Sequence, residues 1–272
     1  MTGRYAVALL AALSMASPAR ALAAFEVRDG SPAALGAVSL DLDAEPMLDS
    51  AWEGRSSLRL VASHAALLQV EGLTAEQVAA TCEIEPASIA LSYLQLGVPG
   101  QREARTRFHL GEHATRAIAL GFDAERLDFA LDAEPATGGW SAGVSCRVRV
   151  PLRLTRGTVE VEMVLVADRL WRSSGLRALG VGSSLPVTVR LRAAGASVAW
   201  IDRWESDGRH SPRIVVEVAL GRAAKLRMGR GESPGRTGAA LAVRLGKVET
   251  LVGRLDETMG GSVTGASVGL LL

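Results

Sequence analysis

The chain lacks the excess of one charge sign that nucleic-acid binders carry. Its 30 Lys+Arg are matched by 29 Asp+Glu, for a net charge of +1. Without a polyelectrolyte footprint, nucleic acid is excluded as a partner. Cysteine is scarce: Cys82 and Cys146 are the two in the chain, too few for a disulfide scaffold or a Cys-rich zinc module. Aromatic residues make up only 4%, thin for a packed core or a membrane girdle. Asparagine is missing, and every basic residue except Lys225 and Lys247 is arginine, biases that reflect codon composition. Long apolar runs are missing as well. Beyond the N-terminus no stretch approaches the ~18 uninterrupted apolar residues of a spanning helix, so a helical membrane span is excluded. What is present is a 48% apolar composition, enough to bury a core and inconsistent with disorder.

The N-terminus carries an export pattern. Arg4 gives a basic start, Ala6 to Ala16 form a short apolar stretch, Pro18 breaks any helix, and Ala21-Leu22-Ala23 offers small residues to a signal peptidase. The pattern predicts a signal peptide over 1–23, an N-terminal segment over 24–56 and the folded unit over 57–272.

That unit alternates with the two-residue period of strands whose faces meet different surroundings. Val144, Cys146, Val148 and Val150 alternate with Ser145, Arg147 and Arg149; Val159, Val161, Met163 and Leu165 with Glu160 and Glu162; Val187, Val189 and Leu191 with Thr188, Arg190 and Arg192. Ile214 to Leu220 carry Glu217 between apolar residues, and Ala239 to Leu245 carry Arg244. Turn signals stand at Asp123-Ala-Glu-Arg126, Asp207-Gly208, Gly221-Arg222, Ser233-Pro-Gly235 and Gly246-Lys247. The candidate strands lie near 57–66, 75–85, 87–97, 113–122, 126–133, 140–150, 158–168, 186–194, 196–204, 211–220, 223–230, 236–245, 247–256 and 262–272.

At roughly 10 residues per membrane-barrel strand, about fourteen strands fit one closed barrel, and equally a pair of soluble β-sandwiches. The faces favour the barrel. One face is Val, Leu, Ala and Ile without bulky anchors, suited to lipid; the other mixes Arg and Glu, as a polar lumen does. Trp52, Tyr93, Phe108, Trp140, Trp171, Trp200 and Trp204 are left to serve as interfacial rings. The expected fold is all-β, a single antiparallel transmembrane barrel of about 14 strands (12–14) in the outer membrane. The alternative is a soluble periplasmic all-β binding or structural module.

Motifs of catalytic appearance give way to plainer readings. Gly139-Trp-Ser141-Ala-Gly143 matches a nucleophile elbow, but the following residues alternate as a strand where the elbow needs a helix. His109-Leu-Gly-Glu112-His113 matches the inverted zincin pattern; with Gly111 inside it and no apolar helical stripe around it, it reads as a loop running into the strand at 113–122. Glu160 and Glu162 lie on one strand face with arginines opposite, a structural network before a glycosidase pair. Asp123, Glu125 and Asp128 suggest a hairpin and its flanks and lack the ligand order of a calcium loop. His64 and His210 are isolated, on a strand face and a loop. Cys82 and Cys146 fall on the apolar face about four strands apart, beyond the ~7 Å a bridge allows, so two free thiols are expected. No catalytic residue, cofactor or metal is expected.

The order of segments resembles the PorV/PorQ family of outer-membrane barrels, relatives of the long-chain fatty acid transporters. Ala34-Leu35-Gly36 resembles that family's entry, Ser56 to His64 its first strand and Ala87 to Leu94 its third. Leu226-Arg-Met-Gly229, Pro234 to Gly246, and Met259-Gly260 leading to Leu272 are similar to its closing hairpins. The resemblance implies about fourteen antiparallel strands, no catalytic residue, and a role as scaffold or partner of secretion machinery or as a passage for small solutes. Two departures stand out: the segment after the entry is reduced to Asp41 through Gly54, and the last residue is Leu272 where such barrels end in an aromatic.

The expected lumen-facing set is Arg147, Arg149, Glu160, Glu162, Arg190, Arg192, Glu217, Lys225, Arg227 and Arg244, with no lumen-facing apolar run. The 41–54 segment is acidic through Asp41, Asp43, Glu45, Asp49 and Glu53. Charge complementarity suggests that it plugs the arginine-rich bore, favouring a scaffold over a pore. The expected surroundings are outer-membrane lipid and secretion or other envelope proteins.

Overall fold

The computed structural model describes residues 58–67, 74–84, 87–98, 101–115, 117–131, 137–155, 157–232, 235–257 and 261–271. The expected signal peptide, the Ala34-Leu35-Gly36 entry, Trp52 and the 41–54 plug lie outside them. The first seven strands are β1 (Leu58–Leu67), β2 (Thr74–Ile84), β3 (Ala87–Val98), β4 (Gln101–His113), β5 (Ile118–Leu131), β6 (Thr137–Leu154) and β7 (Gly157–Arg172). A short helix, α1 (Ser174–Ala178), precedes β8 (Ser184–Ala193), β9 (Ala196–Glu205), β10 (Arg213–Ala219), β11 (Ala224–Glu232), β12 (Gly235–Leu245), β13 (Val248–Glu257) and β14 (Gly261–Leu271). Every neighbouring pair is antiparallel and sequential, and β14 returns to pair with β1, Arg59 opposite Leu271 and Leu67 opposite Val263. The result is one closed fourteen-stranded barrel with no free sheet edge, not a pair of sandwiches.

The strand count agrees with the sequence reading because two errors cancel. Residues 101–112 form most of a strand, β4, where a loop was expected, and the strands expected at 113–122 and 126–133 are one strand, β5. Asp123 to Arg126 lie inside β5 and make no turn. A lumen-facing strand rich in Asp, Glu and Arg has the composition of a turn, so composition alone misplaces it.

The start of β1, the end of β14 and the short turns share one rim, here the near rim. Hairpins there turn on Gly195 (φ 82°) and Gly246 (φ 62°), in the left-handed conformation that tight hairpins need. The opposite, far rim carries the two longest described connections, 173–183 and 206–212.

Alternation sorts the faces. Along β3, Leu91 is 52% exposed, Ser92 4% and Tyr93 41%. In a single closed wall only the inside can bury side chains, so the buried set faces the lumen. The outside presents Leu91, Leu120, Phe122, Val144, Leu191, Leu241 and Val252, a continuous apolar surface far larger than a soluble monomer tolerates. Trp140, Trp171 and Trp204 are exposed near the far-rim ends of β6, β7 and β9; the Arg126 guanidinium lies 5.6 Å from the Trp140 ring centroid. Cys82 and Cys146 are both free, on β2 and β6.

Candidate functional site in the barrel interior

The inner wall carries two ionic layers. The near layer is centred on Glu162 of β7, which register places opposite Arg149 of β6 and Arg190 of β8. Its carboxylate accepts from Arg147, from Arg149 at 2.9 Å and from Arg190 at 3.4 Å, with Arg192 at 3.9 Å. Glu160 meets Arg149 at 3.2 Å and Arg192 at 3.7 Å. Further round the wall Glu217 accepts from Lys225 (3.1 Å) and Arg227 (2.6 Å). Arg244 stands opposite Glu249 and is exposed near a turn, where its Nε donates to the Gly246 carbonyl. Four arginines thus surround two glutamates, and the layer keeps a positive excess.

The far layer was missed from sequence. Glu125 of β5 accepts from Arg169 at 2.8 Å and lies 3.7 Å from Arg105. Asp168 of β7 lies 3.6 Å from Arg107, 3.8 Å from Arg169 and 3.7 Å from Arg203. Asp123 meets Arg107 at 3.3 Å and His109 at 2.9 Å. All of these side chains are buried, and they tie β4, β5, β7 and β9 across the concave wall. The period-two run Glu103, Arg105, Arg107, His109 was the signal that could have found them. Arg169 gave none. A bulge shifts the β6–β7 register between Ala142 and Val144, and Arg169 there has φ 53°, a conformation costing a non-glycine residue about 1–2 kcal/mol. Gly143 permits it: a Cβ there would stand 2.7 Å from the Ala167 carbonyl oxygen. The bulge turns both Asp168 and Arg169 inward against strict alternation.

Between the layers runs a band of other chemistry. On β7, β9 and β10 it is apolar, with Val164, Val166, Ala199, Ile201 and Val215 buried, and β8 adds the buried Thr188. This corrects the expectation of no lumen-facing apolar run: the valines continue the inward parity of Glu160 and Glu162 after the charges stop. On β3 to β6 the same row is Ser88, Gly111, Gly121 and Ser145, paired strand to strand.

The catalytic-looking motifs dissolve in this geometry. His109 and His113 lie on a strand, facing inward with Glu112 outward, which is no zincin helix. Among the described residues no three or more of His, Cys, Asp and Glu come together as a metal site would need. Ser141 sits inside β6 and donates to Glu125 at 3.4 Å. Asp128 faces outward and pairs with Arg126 at 2.8 Å, so Asp123, Glu125 and Asp128 flank no hairpin.

The β7–β8 connection folds into the far mouth. Leu176 of α1 is fully buried against Leu127, Val181 and Phe129. Ser173 exchanges bonds with Trp140, its N–H donating to the Trp140 carbonyl (2.9 Å) and its Oγ accepting from the Trp140 N–H (3.1 Å). Gly139 makes room, since a Cβ there would fall 2.2 Å from Ser173 Oγ and 3.1 Å from Leu176 Cγ. Gly139→Val is therefore expected to expel this segment, at a cost of about 1–3 kcal/mol. Faster protease cleavage within 173–183, with the barrel intact, is the readout; unchanged cleavage would contradict this packing.

No protein-family model matches the chain, and no curated protein does. Solved structures do. The outer membrane protein Omp33 of Acinetobacter baumannii is 5% identical, with a TM-score of 0.52 over 79% of this chain and 97% of that one. The KdgM porin is 5% identical, TM-score 0.42, covering 78% and 98%. A mutant of the Rh. blastica porin is 8% identical, TM-score 0.44, covering 80% and 98%. The likeness is one of fold.

Proposed function

We propose that this protein is a non-enzymatic outer-membrane barrel that passes small anionic solutes. The observation that carries this reading is the excess of buried arginine over carboxylate in both layers of the inner wall, as around Glu162 and Asp168. A low-dielectric wall with an excess of one sign focuses field into the lumen and concentrates counter-ions of the opposite sign. The apolar exterior and the barrel likeness to Omp33 support a lipid setting, and the N-terminal pattern supports export with removal of 1–23. A chain whose intact mass begins at Ala24 would agree.

A second reading has one observation in its favour. The segment 41–54 is acidic and the bore is basic, which supports a barrel closed by its own N-terminal plug and acting as a PorV/PorQ-like scaffold for secretion or other envelope proteins. Planar-bilayer recordings separate the two. Passage predicts a conductance in the intact protein whose reversal potential under a salt gradient favours anions. The plugged scaffold predicts silence until 41–54 is deleted. A conductance preferring cations in either form would sink the anion reading.

A further inference from the structure

One buried histidine is built for something the ion pairs do not use. His109 is 1% exposed, and its Nδ1 lies 2.9 Å from Asp123 Oδ1. Among the described residues its other nitrogen, Nε2, has no hydrogen-bond partner, and neither do the buried hydroxyls of Ser88 and Ser145. Burying such atoms unpaired costs about 1–3 kcal/mol each, so they call for a ligand.

These three atoms converge. A Cβ on Gly111 would lie 2.6 Å from Ser88 Oγ and 3.2 Å from His109 Nε2; one on Gly121 would lie 2.3 Å from Ser145 Oγ and 3.2 Å from the same Nε2. The two glycines face each other in register. The imidazole therefore lies over a side-chain-free floor, with one hydroxyl on each side.

We propose that this niche binds a small oxyanion, carboxylate or phosphate, and is the step between the two arginine layers. The inference rests on the anion-passage reading and names the site that reading lacks. With Nδ1 held by Asp123, the imidazole aims Nε2 at the niche, and Ser88 and Ser145 add two hydroxyl donors, a set suited to an anion with more than one acceptor oxygen. Position agrees: the niche lies in the row between Asp123 and Glu125 on the far side and Arg147 and Glu162 on the near side. The ionisable groups facing the imidazole are Arg107 and His113 on β4, Asp123 on β5, Arg147 on β6 and, through Arg107, Asp168 on β7; β3 presents Ser88.

The test uses the full exported protein in detergent, with ¹³C-labelled histidine and the His109 ring signal assigned by its loss in His109→Gln. Inorganic phosphate, acetate and chloride are titrated at about pH 8 and about pH 5.5. The expected result is a saturable shift of that signal with phosphate or acetate, missing with chloride. Whichever of phosphate and acetate saturates first identifies the oxyanion. Ser88→Ala with Ser145→Ala should weaken binding about tenfold while heat-modifiable gel mobility, the sign of an intact barrel, is kept. No saturable shift at either pH, or an equal response to chloride, overturns the site. An anion-selective conductance without the shift removes the niche and keeps the passage; the shift without conductance does the reverse.

Discussion

Glu162→Gln should cost about 3–5 kcal/mol of stability, the price of breaking one side of a buried ion pair. The carboxylate is 1% exposed and neutralises Arg147, itself 1% exposed, together with Arg149 and Arg190. An amide keeps the shape and some hydrogen bonds but removes a charge shared by three guanidiniums that cannot lose their protons, and leaves the more exposed Glu160 against Arg149. The comparison is Glu217→Gln. Glu217 also meets two basic groups, but it is 22% exposed and its partner Lys225 is 55% exposed, so solvent screens the loss to about 1 kcal/mol or less. Denaturant midpoints of the two variants, refolded side by side, measure the difference. Replacing Arg147 by Met in the Glu162→Gln background should recover part of the loss, because it removes the stranded charge. Equal midpoints for the two single variants would mean that the near layer is solvated and the burial argument fails.

That network shows where sequence reasoning reaches and where it stops. Arg147, Arg149, Glu160, Glu162, Arg190 and Arg192 sit on strands with clean apolar alternation, so period two sets each on the face opposite its apolar neighbours. Arg105, Arg107 and His109 alternate as well, with Thr106, Phe108 and Leu110 between them. Gly111 and the histidine spacing suggested a loop, and the polarity of Asp123 to Arg126 suggested a turn. Both segments are polar because they face each other inside the barrel: Arg107 opposite Glu125, His109 opposite Asp123. Pairing across strands is not a property of either segment alone. Arg169 is illegible for a different reason. Its inward aim depends on a bulge that the Gly143 backbone makes room for across the ladder, and no local pattern announces it. Closure was legible only as a count, and the contact of β14 with β1 had to be seen.

Leu91→Arg tests the setting of the whole barrel. Leu91 lies near the middle of β3, faces outward and is 52% exposed, between Ala80 of β2 and Phe108 of β4. If water bathed this face, the substitution would be one more surface change, within about 0.5 kcal/mol. If lipid does, an arginine near the bilayer midplane should cost about 2–4 kcal/mol. Folding measured in phospholipid vesicles, by the midpoint of urea-dependent refolding, reads that cost directly. Ser92→Ala, one residue on and facing the lumen, should change the midpoint little and guards against a general effect of altering β3. Repeating the comparison near the far rim sharpens the test, because a charge at headgroup depth costs about 0–1 kcal/mol. Gln95→Arg is suited to this, four residues further along β3 and opposite Glu76 of β2 on the same outward face. A depth-dependent penalty places the apolar exterior in a membrane. A flat profile, with Leu91→Arg as cheap as Gln95→Arg, would mean that this face is covered by something other than lipid, and the passage reading would fall with it.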